Sequence, residues 1–260
     1  MLSSGERWYR SGLAVVVAGV FWLTACGGDD GGEEASPPSS SEQDTDVEST
    51  VGAPVLPEGN VWVARARLPQ VDVFADSRGD EVVEQLDNPN EHGAELVFLV
   101  DGTDVSVERL PVYLPVPPNG SKGWVNSADV SLVANPYWIR IELDAHRLSV
   151  TKADEVTVET TVGLGREGRE TPAGLYYVKE LLEPPDPGGV YGPYAYGISG
   201  FSNNPEVVEE FGSGVIGIHG TNDPGSIGQD VSSGCIRVPN ETITEMAGYL
   251  PLGTPVEIVA

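Results

Sequence analysis

The chain has 260 residues, enough for one large domain or two smaller ones at ~100–200 residues each. It carries 40 acidic against 14 basic side chains, a net charge of −26, and is therefore a poor match for nucleic acid or a bare anionic membrane, where Lys and Arg supply most of the affinity. Its 32 glycines and 21 prolines disfavour a helical bundle and predict short strands joined by turns, while two cysteines rule out both a disulfide-stapled scaffold and a four-cysteine zinc site.

Residues 1–25 read as a targeting segment. Arg7 and Arg10 precede an apolar run, Leu13 to Leu23, that is short for a spanning helix. The run ends in Leu23-Thr24-Ala25-Cys26, which resembles the lipobox of bacterial lipoproteins. That resemblance implies cleavage before Cys26, a diacylated Cys26 as the N-terminus, and a protein held outside the cytoplasm on the outer face of the cell membrane. The alternative is an uncleaved N-terminal anchor. Residues 26–60 are polar and aromatic-free; residues 27–60 carry nine acidic and no basic groups, so they predict a disordered tether. With Cys26 acylated, Cys235 is left as a lone thiol in an oxidising compartment, and becomes a candidate nucleophile.

Residues 61–134 predict a first β module. VWVARARL, VDVFAD, ELVFLV and PVYLPV have strand composition with partial alternation, and Asn88-Pro89-Asn90 and Pro118-Asn119-Gly120 mark turns. The stretch LPVPPNGSKGWVNSADV resembles the closing hairpin of bacterial SH3-like barrels. That implies a wall-peptide-binding module or spacer; a simple packing domain is the other reading.

Residues 135–260 predict a second, mainly β domain with few short helices. Trp138 to Leu143 alternates as a half-buried strand should, and His146 to Val150 follows as its hairpin partner. VTVETTVGLG and TPAGLYYVKEL continue the pattern. Nine glycines between Gly197 and Gly234 predict tight turns and close backbone approach to a ligand. ETITEMAGYL, after Pro239 and an Asn240 cap, predicts a short helix, and PVEIV a closing strand.

The chemistry concentrates in GVIGIHGTNDPGSIGQDVSSGCIRV. A strand delivers His219; a glycine-rich loop leads to Ser232-Ser233-Gly234-Cys235-Ile236-Arg237. Thiol acyl transfer needs an imidazole that takes the thiol proton and returns it to a leaving amine. An ion pair with imidazolium can lower a cysteine pKa by several units. Backbone N–H groups of Ser233, Gly234 and Cys235 are candidate oxyanion donors. Histidine precedes cysteine, which counts against papain-like proteases. His92 and His146 are expected at the surface, away from this motif.

These residues resemble the L,D-transpeptidase (YkuD-type) motif: a strand-borne His-Gly, a gap, then Ser-x-Gly-Cys-Ile-Arg. TPAG at Thr171 to Gly174 and YGPYAYGISGF at Tyr191 to Phe201 add to the resemblance, which covers roughly residues 136–260. Ser233 departs from it, since the family usually has histidine there. The resemblance implies a β-rich acyltransferase, with no metal or nucleotide cofactor, acting on peptidoglycan stem peptides. Cys235 would attack the carbonyl of the third stem residue, a diamino acid, and expel D-alanine. The thioester would then pass to another stem's amine, giving a cross-link between third residues. His219 would act as base and acid, oriented by the Gly220 carbonyl, and carbapenems would acylate Cys235. Candidate substrate contacts are Arg237, Tyr194, Tyr196 and Thr221. Their structural alternatives are a salt bridge for Arg237, a core position for one of the two tyrosines, and loop hydrogen bonding for Thr221 and Ser232. Two other functions stay open: an L,D-carboxypeptidase using the same acyl-enzyme, and a non-catalytic wall-binding lipoprotein.

Overall fold

The computed structural model describes residue 56 and residues 58–260. The targeting segment, Cys26 and nearly all of the tether lie outside the described residues.

Seven strands form the N-terminal module: β1 (Val61–Ala66), β2 (Gln70–Phe74), β3 (Val82–Asp87), β4 (Val97–Leu99), β5 (Arg109–Tyr113), β6 (Lys122–Asn126) and β7 (Val130–Asn135). They make two small sheets, ordered β4-β1-β7 and β3-β2-β6-β5. Trp62, Ala64, Val71, Val73, Phe98, Leu110, Val112 and Val125 meet in the core between them. Strand β3 escapes a reading of the sequence because VVEQLD is exposed at nearly every position. Without a buried face it shows no alternation; backbone pairing with β2 and two cross-strand side-chain hydrogen bonds, Gln70 to Asp87 and Gln85 to Asp72, hold it.

The C-terminal domain contributes β8 (Tyr137–Glu142), β9 (Arg147–Lys152), β10 (Glu155–Thr161), β11 (Leu164–Gly165), β12 (Gly174–Leu182), β13 (Ala195–Phe201), α1 (Pro205–Phe211), β14 (Val215–His219), β15 (Asp230–Ser232), β16 (Ile236–Arg237), α2 (Asn240–Ala247) and β17 (Pro255–Val259). Eight strands make one sheet, ordered β10-β9-β8-β17-β12-β13-β14-β16. Its core gathers Ile139, Ile141, Leu148, Val150, Val178, Ile198, Ile218 and Ile236 with Ile243 and Met246 of α2. The fold is mainly β, with two short helices among the described residues.

Helix α1 is absent from the sequence reading. Asn204 caps it by accepting from the Glu206 N–H, and Pro205 opens it. Helix α2 begins at Asn240, and here the cap expectation is corrected. Pro239 occupies the cap position, and the Asn240 side chain instead accepts the Thr221 N–H at 2.7 Å.

The two sheet systems touch through specific groups. Tyr177 of β12 packs with Val63, Val97 and Leu99 of the N-terminal module. Asn119 makes a two-way amide pair with the Phe201 backbone, at 2.9 and 2.8 Å. Gly253 must be glycine, since its φ is +85° and a Cβ there would fall 2.4 Å from Val63.

Candidate active site

Strand β14 is the scaffold of the site. It pairs antiparallel with β13 and parallel with β16, so Ile218 faces Ile236 and His219 faces Arg237. The parallel pairing puts the end of the His219 strand beside the start of the strand that follows Cys235. Gly217 lies between the two reactive groups. A Cβ built there would lie 3.7 Å from His219 Cδ2 and 3.8 Å from Cys235 Sγ, so ring and sulfur flank one small space that glycine leaves empty. The Gly217 N–H donates to Cys235 Sγ at 3.4 Å.

His219 is 5 % exposed. Its Nδ1 stands 2.6 Å from the Gly220 carbonyl oxygen, which can only accept. The proton therefore sits on Nδ1, and Nε2 keeps its lone pair. The imidazole pKa is lowered to about 4, chiefly by burial, with the Gly220 hydrogen bond opposing the shift and Arg237 adding to it. Burial also pushes the Cys235 thiol up, against the opposing pull of the Gly217 N–H and Arg237. Both shifts favour the uncharged forms, a neutral thiol beside a neutral imidazole that can take its proton, because desolvation outweighs the local hydrogen bonds.

The loop before the nucleophile is pinned from both sides. Ser232 Oγ donates to the Cys235 carbonyl at 2.6 Å and accepts the Gly234 N–H at 3.1 Å. The Gly234 N–H is thus already bound, and the expectation that it serves an oxyanion is corrected. The N–H groups of Ser233 and Cys235 make no hydrogen bond among the described residues. Gly234 adopts φ +114°, a turn that requires glycine. Its carbonyl accepts from Thr171 Oγ1 at 2.9 Å, and the same oxygen accepts the Gly165 N–H at 3.0 Å. The TPAG turn therefore clamps the nucleophile loop. Ser233 Oγ accepts from Arg169 at 3.1 Å and Arg166 at 3.4 Å.

Cys235, His219, Ser233 and Arg237 border one cavity of about 690 Å³. Arg237 Nε is buried with no partner among the described residues, so its guanidinium is not consumed by a salt bridge. The other expected contacts sit deeper. Tyr196 borders the same cavity but is fully buried in the core, and Tyr194 packs against that core while its carbonyl accepts the Gly220 N–H at 3.2 Å. Thr221 is buried too, with its N–H given to Asn240 and its hydroxyl accepting from the Asp223 N–H. Tyr191 borders the cavity as well, and its ring stands edge-on to His219 with centroids 5.0 Å apart. Its place in YGPYAYG is visible in sequence, but alternation cannot rank loop tyrosines. His146 is paired with Asp230 at 2.8 Å, away from the cavity. His92 is not remote as expected; it borders the cavity together with Glu180. Only the docking of the first module onto β12 brings it there.

Residues 136–258 match the family model of the L,D-transpeptidase catalytic domain, YkuD. The Bacillus subtilis protein named "Putative L,D-transpeptidase YkuD" is 33% identical over 123 residues, covering 47% of this chain and 66% of that protein. The Escherichia coli protein named "Probable L,D-transpeptidase ErfK/SrfK" is 27% identical over 229 residues, covering 79% of this chain and 67% of its own. A solved structure of Bdellovibrio bacteriovorus Bd1075 is 28% identical, covers 48% of each chain and has a TM-score of 0.39. The match thus spans about two thirds of these curated relatives. Residues 136–258, with their strand-borne His219 and glycine-preceded Cys235, thus match the YkuD family of L,D-transpeptidase catalytic domains.

Proposed function

We propose that this protein is a peptidoglycan L,D-transpeptidase that works through a thioester on Cys235. The observation that carries the reading is the pair of groups flanking Gly217: a sulfur and an imidazole whose only free nitrogen lone pair is on Nε2. As Cys235 Sγ attacks the carbonyl carbon of the third stem residue, its proton passes to His219 Nε2. The C–S bond forms and the C–N bond to D-alanine breaks, with the departing amine taking the proton from the imidazolium. A diamino-acid amine of a second stem then attacks the thioester and gives its proton to Nε2. The imidazolium returns that proton to sulfur. The N–H groups of Ser233 and Cys235 stand nearest the developing oxyanion, and Arg237 offers its guanidinium to a stem carboxylate.

The neutral resting couple fits this sequence of steps. A partly buried thiol with a poised base transfers its proton when substrate arrives, and is less prone to oxidation between turnovers than a standing thiolate. In the same proposal Cys26 is acylated, the acidic tether spans the gap to the wall, and residues 61–134 act as an SH3-like spacer or wall-binding module. The test is incubation of the purified protein with disaccharide-tetrapeptide. Release of D-alanine together with cross-linked dimers is expected, and Cys235→Ala abolishes both along with carbapenem labelling. D-alanine without dimers would make the protein an L,D-carboxypeptidase. No release at all would leave a wall-binding protein.

A further inference from the structure

Glu180 is 2 % exposed, and the acyl-transfer steps make no use of it. In the sheet it stands opposite Gly197, and Gly197 stands opposite Gly217. Residues directly opposite across strands project to the same face. Glu180, Gly197 and Gly217 therefore form one lateral row on the face that carries Cys235 and His219. The two glycines leave that row without side chains of its own. Glu180 fills part of it: a Cβ on Gly197 would fall 2.4 Å from Glu180 Oε1, so the carboxylate leans over Gly197 toward the nucleophile.

The carboxylate is held from the first module. Glu180 Oε2 accepts from Asn90 Nδ2 at 3.0 Å and meets His92 Nδ1 at 2.8 Å. A carboxylate only accepts, so His92 carries its proton on Nδ1 and, when neutral, offers Nε2 as an acceptor. Lys179 Nζ stands 3.7 Å from Oε1, and Oε1 takes no hydrogen bond among the described residues. Glu180 and His92 both border the cavity that holds Cys235, whose lining also includes Leu182, Val190, Val215 and Ile216.

From these positions we infer that Glu180 and His92 form a subsite for a primary ammonium group at the far end of the catalytic cavity. Resting on the function proposed above, this group is the side-chain ammonium of the diamino acid whose carbonyl Cys235 attacks. Two acceptors, one of them anionic, suit an ammonium and repel a carboxylate. The reach also fits. One to two strand spacings, roughly 5–10 Å, separate the Gly217 space from the Glu180 carboxylate. A lysine-like side chain spans roughly 6 Å at ~1.5 Å bonds, its methylenes running along the apolar sides. The first module thereby supplies His92 to the specificity of the second.

The test uses the full chain in excess over synthetic tetrapeptide stems that end in D-alanine, with lysine, Nε-acetyl-lysine or norleucine at the third position. Single-turnover release of D-alanine reports acylation alone, so the acceptor has no part in it. Labelling of Cys235 by a carbapenem counts correctly folded molecules. The lysine stem is expected to react at least tenfold faster than both others at sub-saturating enzyme, with the difference in apparent affinity rather than in limiting rate. Glu180→Gln and, at a more exposed position, His92→Phe bring the lysine-to-norleucine ratio toward one. Equal rates for the three stems with the unaltered protein would overturn the subsite while leaving Cys235 chemistry intact. A norleucine stem as fast as lysine, with only the acetyl stem slow, would reduce the effect to bulk and overturn it too. A chain that releases D-alanine from none of them would refute the proposed function, and the subsite with it.

Discussion

The protonation state of the Cys235–His219 couple can be measured directly. The perturbation is pH, and the readout is the rate of Cys235 alkylation by iodoacetamide, followed by intact mass. A free thiol ionising near ~8.5 is about 3% thiolate at pH 7. Burial holds Cys235 above its ordinary value, so its thiolate fraction at pH 7 is below that. His219 offers no rescue, because its pKa of about 4 leaves it uncharged at pH 7. The alkylation rate is therefore expected to climb roughly tenfold per pH unit from pH 6 past pH 8.5 without levelling. A standing ion pair gives a different curve: a rise near the low thiol pKa, then a plateau through neutrality. With Cys235 the sole cysteine among the described residues, the signal is clean once Cys26 is replaced by Ser. A rate that is flat between pH 6 and pH 8 would refute the neutral couple, and with it the argument that desolvation outweighs the Gly217 and Gly220 hydrogen bonds.

Three further outcomes follow from the same geometry. His219 ionises near ~6.5 when unfolded and at about 4 when folded, so its neutral form contributes stability above pH 6.5 that is lost as pH falls toward 4. At about 1.4 kcal/mol per pH unit this reaches about 3 kcal/mol, and the urea-unfolding difference between the unaltered protein and His219→Gln should move by up to that much between pH 7 and pH 4; a constant difference would contradict the burial argument. Thr171→Val removes the hydroxyl shared by the Gly165 N–H and the Gly234 carbonyl, and should cost about 2–4 kcal/mol in urea unfolding and slow carbapenem acylation; unchanged acylation would mean the nucleophile loop does not need the clamp. Gly217→Ala meets no atom closer than 3.4 Å, so the fold should survive within about 1 kcal/mol. Its methyl nonetheless enters the space between ring and sulfur, so D-alanine release should fall at least tenfold, and full activity would place the proton transfer elsewhere.

The sequence by itself determined what depends on local order. Alternation along Trp138 to Leu143 marked β8 because one face of that strand is buried. The His219-to-Cys235 segment named the two reactive groups because their chemistry is carried by residue type and spacing. Only the tertiary structure decided the state and surroundings of those groups. Whether the couple is charged depends on how much water the packing removes, and no spacing encodes that. The same holds for tyrosine: Tyr196 went to the core and Tyr191 to the ring of His219 through sheet register and loop closure. Likewise Asn240 left its helix cap to hold Thr221 once α2 packed beside the loop. His92 and Glu180 lie 88 residues apart, and only the packing of the N-terminal sheets against β12 brings them together. Long-range contacts of this kind follow from which apolar surfaces bury each other, and that is a property of the folded whole.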